Sequence, residues 1–391
     1  MAKKTTKKTA RKRTTRKKAS SSSVETPPDT IGQKIPIVSL DEILGQSHAV
    51  GLLDAAMMSG RVHHAWIFHG PEGVGKFTTA LAFAGTVLDP LTARDLSGNL
   101  RHDPQSPTVH LLKAGSHPDL HIICKELASS SRNDSVRNSK QTSIAKEVIE
   151  EFLVEPATRT RVAGGESIAR KVFLVDEAHL LGLEAQNALL KTLEEPPQGT
   201  IIVLITPSED RLLPTIRSRC QRVPFAPLDD TAMHTWIARA QLDLQGIDPA
   251  WALEFAGGSP GVLAAIVQSG LVRWHQSLGP ALDQLAQGRS VIELGSMLAE
   301  LVNQAAADSI AGDTRASKDV ANRVTARRMF QMLGESFRAA LWQAVNAGQT
   351  DRAEWAIASI EIVDQAQTQL NSNVALALLF ENLAAQCPVA L

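Results

Sequence analysis

Gly70, Gly73, Gly75 and Lys76 stand in the pattern G-x-x-x-x-G-K, between an apolar run at 64–68 and an alanine- and leucine-rich run at 78–88. This arrangement suits phosphate chemistry. Glycines let successive backbone N–H groups wrap an anion, the next helix points its N-terminus at it, and Lys76 reaches the outer oxygens. The position after such a lysine ordinarily carries a hydroxyl for Mg²⁺, but here it is Phe77. Thr78 lies one helical step further, about 100° around the axis, so its hydroxyl is expected to point elsewhere. Nucleotide binding is therefore expected to be weakened, or kept without efficient hydrolysis. A second set, Asp176-Glu177, ends the apolar run at 171–176. Asp176 is placed to hold Mg²⁺ through water if a nucleotide binds, and Glu177 to polarise an attacking water.

Weaker signals surround these. Thr206 closes the apolar run at 200–206, where it either senses a terminal phosphate or merely ends a strand. Arg219, in Ser218-Arg219-Cys220, is either a plain surface charge or a finger aimed at a neighbouring molecule's phosphates. Cys220 reads as a small buried residue and His179 as a packing or capping one. His63, His64, His117 and His121 lack ligand pairs at usual spacings, so no metal centre is expected among them.

Positioning these groups requires alternating elements. Apolar runs at 64–68, 171–176 and 200–206 and shorter segments at 120–123 and 221–225 read as strands, with helices at 49–60, 78–88, 144–156, 184–197 and 211–220. Their alternation predicts an α/β unit: a parallel sheet with helices on both faces. Residues 89–143 are polar and give little pattern beyond the strand at 120–123. After Pro227 the strand signals stop, and residues 229–270 and 275–391 read as all-helical.

The 391 residues suffice for two or three domains. Residues 1–18 hold ten of the 40 Lys+Arg and no acid, which leaves 30 basic against 41 acidic side chains elsewhere, a net of −11. A uniformly basic nucleic-acid binder is excluded, whereas an acidic body with a basic arm is not. Residues 1–30 are expected to be a disordered basic tail and linker, able to touch DNA phosphates without reading sequence. Three scattered cysteines exclude a disulfide framework and suit a reducing compartment. No apolar run reaches the ~18 residues of a membrane span, and no secretory leader is expected.

Taken together, ILGQ (43–46), HAWIFHGPEGVGKFTTA (64–80), GSHPDL (115–120), VFLVDEAHLL (172–181), NALLKTLEEPP (187–197) and LLPTIRSRCQRVPF (212–225) resemble the AAA+ clamp-loader family of bacterial DNA polymerase III, and within it the delta-prime branch. The resemblance spans about residues 43–228. It implies an AAA+ P-loop core at 31–228, a helical lid at 229–270 and a helical collar at 275–391. It further implies a cytoplasmic hetero-oligomeric ring with gamma/tau and delta subunits that loads the sliding clamp on primed DNA. Arg219 would complete a neighbour's ATP site in trans. Glu177 would be vestigial, and Gly70, Gly73, Gly75, Lys76, Phe77, Thr78, Asp176 and Thr206 would line an ATP/Mg²⁺ site of weak or absent hydrolysis. The family's four-cysteine zinc module is missing, so no zinc is expected. Val262 follows the GSPG turn where motor subunits place an arginine. The alternative is an autonomous AAA+ ATPase remodelling nucleic acid or protein.

Overall fold

Strands β1 (Ala65–His69), β4 (Leu120–Ile123), β5 (Lys171–Val175), β6 (Thr200–Thr206) and β7 (Gln221–Pro224) form one parallel sheet of order β4-β5-β6-β1-β7. The numbering leaves room for a two-residue hairpin, β2 (Ala93–Arg94) with β3 (Leu100–Arg101). These come from a computed structural model describing residues 37–387 except 140–141, 160–165, 245–248, 270, 311–317, 371 and 373. The basic tail and linker at 1–30 lie outside the described residues.

The continuous apolar runs arise because both faces of the sheet are covered. Side chains alternate across it with period two. Trp66, Phe68, Val172, Leu174, Val203 and Val223 join one buried cluster with helices α1 (Ser47–Met58) and α2 (Lys76–Leu88). Ala65, Ile67, Phe173, Val175, Ile202 and Leu204 join a second, with α7 (Leu183–Glu194) and the helical run at 146–158.

Several element ends differ from the sequence expectation, each for a local reason. Helix α2 begins at Lys76, because Gly75 takes a left-handed conformation (φ 100°) and caps it. Helix α7 stops at Glu194, before Pro196 and Pro197; the residue preceding a proline is steered out of helical geometry. The 146–158 run is α5 (Lys146–Ile149), a π turn (Glu150–Val154) and α6 (Glu155–Thr158). Ile144, expected to open this helix, instead bridges to Leu181. The segment at 211–220 is a 3-10 turn (Glu209–Arg211) followed by one short helix, α8 (Pro214–Arg217).

Residues 89–143, nearly blank in the sequence, are largely built. Besides the hairpin and β4 they hold α3 (Pro107–Lys113), a 3-10 helix (Lys125–Ser130) and α4 (Asp134–Arg137). Arg101 ties the hairpin to the body. Its guanidinium binds Asp54 of α1 at 2.6 Å and Asp41 at 3.2 Å.

Beyond β7 every described element is helical: α9 (Asp230–Ala240), α10 (Pro249–Ala256), α11 (Pro260–Ser269), α12 (Leu271–Ala286), α13 (Leu294–Ser309), α14 (Lys318–Asn346), α15 (Thr350–Gln369) and α16 (Leu376–Gln386). Helices α14 and α15 pair through Phe337 edge-on to Trp355 at 5.5 Å, and Phe330 meets Phe380 of α16 at 5.3 Å. Among the described residues, no helix is long and apolar enough to cross a membrane.

Candidate nucleotide cavity and surface arginine

The loop at 70–76 leaves the carboxyl end of β1, which lies between β6 and β7, and runs straight into α2. Its glycines are required by shape. A Cβ on Gly70 (φ 138°) would collide with the carbonyl oxygen of Phe225, and one on Gly73 (φ 73°) with the hydroxyl of Ser259. The loop is held from two sides. Gln46, almost fully buried, donates its amide to the carbonyls of Val74 (3.1 Å) and Ala226 (2.7 Å). From the helical segment, Ser259 donates to the Glu72 carbonyl at 2.8 Å, and the Gly261 amide donates to the Gly73 carbonyl at 2.9 Å. Gln46 was visible in the sequence only as part of ILGQ, with no role attached.

Beneath the loop lies a cavity of about 710 Å³. Gly73, Gly75, Lys76, Phe77, Thr78, Asp176, Glu177, His179 and Thr206 line one part of it. Val38, Ile43, Leu44, Leu228 and Trp236 line another, an apolar wall suited to a flat base. Thr78 is among the residues lining the cavity, one helical step beyond Phe77. The first turn of α2 presents both Phe77 and Thr78 there.

Lys76 is only 7% exposed and donates to the carbonyls of Gly70, at 2.6 Å, and Pro71. Burial pulls its pKa down, opposed by Glu72 and Asp176. Burial pushes the Asp176 carboxyl up, and the neighbouring charge of Glu177 adds to this; the Glu177 amide and Lys76 oppose it. Glu177 adopts a left-handed backbone (φ 48°), costly for a non-glycine residue. Its carboxylate is bound by Lys125 at 2.6 Å. The sequence offered no sign of Lys125, which stands 52 residues away and opens the 3-10 helix that follows β4. The Thr206 hydroxyl donates to the Ser208 carbonyl at 2.7 Å.

Arg219 is not among the residues lining this cavity. It follows α8, with its side chain 35% exposed. Its guanidinium donates to the Thr215 carbonyl at 2.9 Å and pairs with Glu194, the last residue of α7, at 2.7 Å. Burial pushes the Cys220 thiol to about 12, which leaves it inert.

The cavity fits a nucleotide: a glycine cradle that a Cβ would fill, a buried lysine and the N-terminus of a long helix all favour phosphate. It does not fit the usual Mg²⁺ arrangement, since Phe77 supplies no oxygen and Lys125 engages Glu177. Among the described residues, no three His, Cys, Asp or Glu side chains are grouped to hold a metal. His63 and His64 bond to the carbonyls of Ala65 (2.8 Å) and Leu193 (2.9 Å).

Residues 45–229 match the model of a family described as "DNA polymerase III, delta subunit". The chain is 35% identical over 213 residues to the DNA polymerase III delta-prime subunit of Pseudomonas aeruginosa, covering 52% of this chain and 56% of that one. It is 33% identical over 231 residues to the delta-prime subunit of Escherichia coli, with 59% and 62% covered. The tau subunit of Bacillus subtilis is 30% identical over 194 residues, with 49% and 30% covered. The matches thus span little more than half the length of these delta-prime relatives.

Proposed function

Because residues 45–229 belong to the delta-prime/clamp-loader family of DNA polymerase III, we propose that the chain works as a delta-prime-type subunit of a clamp loader. It joins a ring with gamma/tau and delta subunits in the bacterial cytoplasm and helps place a sliding clamp on primed DNA. Residues 229–270 act as a lid and 275–391 as a collar that holds the ring together. The basic tail at 1–30 is the segment offered to DNA.

One observation carries the reading of mechanism. Arg219 is not among the residues lining its own chain's cavity and is partly exposed just after a short helix, where the Thr215 carbonyl and Glu194 hold it. A guanidinium so placed has no phosphate of its own to serve. It suits a neighbour's ATP, where planar donors stabilise charge on the transferring phosphoryl group. When bound, ATP with its Mg²⁺ supplies the reactive phosphoryl group at that neighbouring site. This chain contributes the arginine and the surface that positions it.

The test is reconstitution with gamma/tau and delta subunits. Arg219→Ala should leave the ring assembled and lower its clamp-stimulated ATP turnover. Unchanged turnover in an assembled ring contradicts the proposal.

The intact glycine cradle, Lys76 and the Asp176-Glu177 pair favour a second reading, an autonomous ATPase. Robust Mg²⁺-dependent turnover by the isolated chain, abolished by Lys76→Ala, would support it over the first.

A further inference from the structure

We propose that the cavity binds a nucleoside triphosphate or diphosphate without Mg²⁺, as a resident structural ligand that joins the loop to the helical segment. The inference rests on the cavity's being a nucleotide site and is independent of the role of Arg219.

In a phosphate-binding loop the metal is ordinarily held by the hydroxyl after the lysine, by an acid at the end of a neighbouring strand, and by phosphate oxygens. Here the first of these is Phe77, a half-buried aromatic side chain lining the cavity. Thr78 also lines the cavity, but it stands about 100° further around α2 than the position that ordinarily carries the hydroxyl; Thr79 is fully buried and donates to the Gly75 carbonyl at 2.9 Å. Lys125 holds Glu177 at 2.6 Å, which removes a second carboxylate from the metal's surroundings. Mg²⁺ demands near-ideal octahedral geometry and gives up water reluctantly, so a site short of oxygen ligands gains little from it.

The phosphate charge is met without a metal. Lys76 is 93% removed from solvent and already inside the cradle, where its ammonium bonds only to loop carbonyls. The dipole of the 13-residue helix α2 adds partial positive charge at the same point. The apolar wall around Leu228 and Trp236 offers area to a base with no metal involved.

The same loop is the joint to the helical segment. The carbonyls of Glu72 and Gly73 receive Ser259 and Gly261 from the turn that starts α11. A ligand ordering this loop therefore orders that joint, and binding only to the folded state adds stability by mass action.

The experiment is calorimetric titration of the full chain with ATP and with ADP, in Mg²⁺ and then in excess EDTA. Dissociation constants agreeing within about twofold between the two buffers are expected, since Phe77 puts no oxygen at the position directly after the lysine that ordinarily holds the metal. Phe77→Thr should introduce a preference for Mg²⁺ of about tenfold by restoring that oxygen. Lys76→Ala should abolish binding in both buffers while the circular dichroism spectrum stays unchanged. Binding by the wild-type chain that needs Mg²⁺ overturns the inference. No binding in either buffer overturns it together with the nucleotide reading itself. Both outcomes leave the Arg219 proposal to its own test.

Discussion

Two regions of the same α/β unit differ in what their charged groups face. In the cavity, the polar groups are turned inward on the protein. Lys76 bonds to the carbonyls of Gly70 and Pro71, Glu177 to Lys125, and Thr206 to Ser208. At the far end of α7, Arg219 is half-exposed and held by Glu194 and the Thr215 carbonyl. The first region has the shape of a catalytic site and lacks an oxygen at Phe77. The second has a catalytic type of side chain and no local substrate. On the proposed reading, the contrast separates an intact loop motif from an active site: the loop keeps its shape as a joint to the helical segment, and Arg219 serves a neighbour's phosphates.

The largest effect should come from breaking the joint. Gly70→Ala forces a Cβ onto the Phe225 carbonyl at a left-handed φ of 138°. It should lower stability by about 3 kcal/mol or more, read by denaturant unfolding, and remove ATP binding. Unaltered stability would mean the loop is only a ligand site, and the contrast would blur.

A pH experiment separates both regions from the fold. His121 stacks on Phe173 with ring centroids 4.7 Å apart, and burial, aided by Lys171, holds its pKa down to about 4. The unfolded chain takes up this proton near 6.5 and the folded chain near 4. Stability is thus complete above about 6.5 and lost as pH falls from there to about 4. That loss should reach about 2 kcal/mol after discounting for partial exposure, and His121→Gln should flatten it. Chemical denaturation across this range checks it.

A smaller effect is expected at the arginine's support. Glu194→Gln keeps the shape and loses the charge of an exposed pair, so it should reduce clamp-stimulated ATP turnover by about threefold with stability unchanged. No change would mean the Thr215 carbonyl alone positions Arg219. Smallest of all, Lys76→Ala should change that turnover by less than about twofold, because the proposal places hydrolysis in a neighbour's site.

Much of this was legible in the sequence, for identifiable reasons. Strands β1, β5 and β6 are largely apolar because the sheet is covered on both faces there, and the spacing of Gly70, Gly73, Gly75 and Lys76 is a local pattern. What stayed hidden is long-range. Lys125 reaches Glu177 across 52 residues, and Gln46 reaches Ala226 across 180. The Arg101 network ties the hairpin to Asp54 of α1, 47 residues away in sequence. None of these partners carries a local signature, since each is an ordinary polar residue until the fold brings the other to it.

The most direct measurement sets Arg219→Ala beside Lys76→Ala in one reconstituted loader, with clamp placement on primed DNA as the readout. The account predicts at least about a tenfold loss for Arg219→Ala and less than about twofold for Lys76→Ala, with both rings assembled. The reverse order, a large loss at Lys76 and none at Arg219, would contradict it and make the cavity the working site.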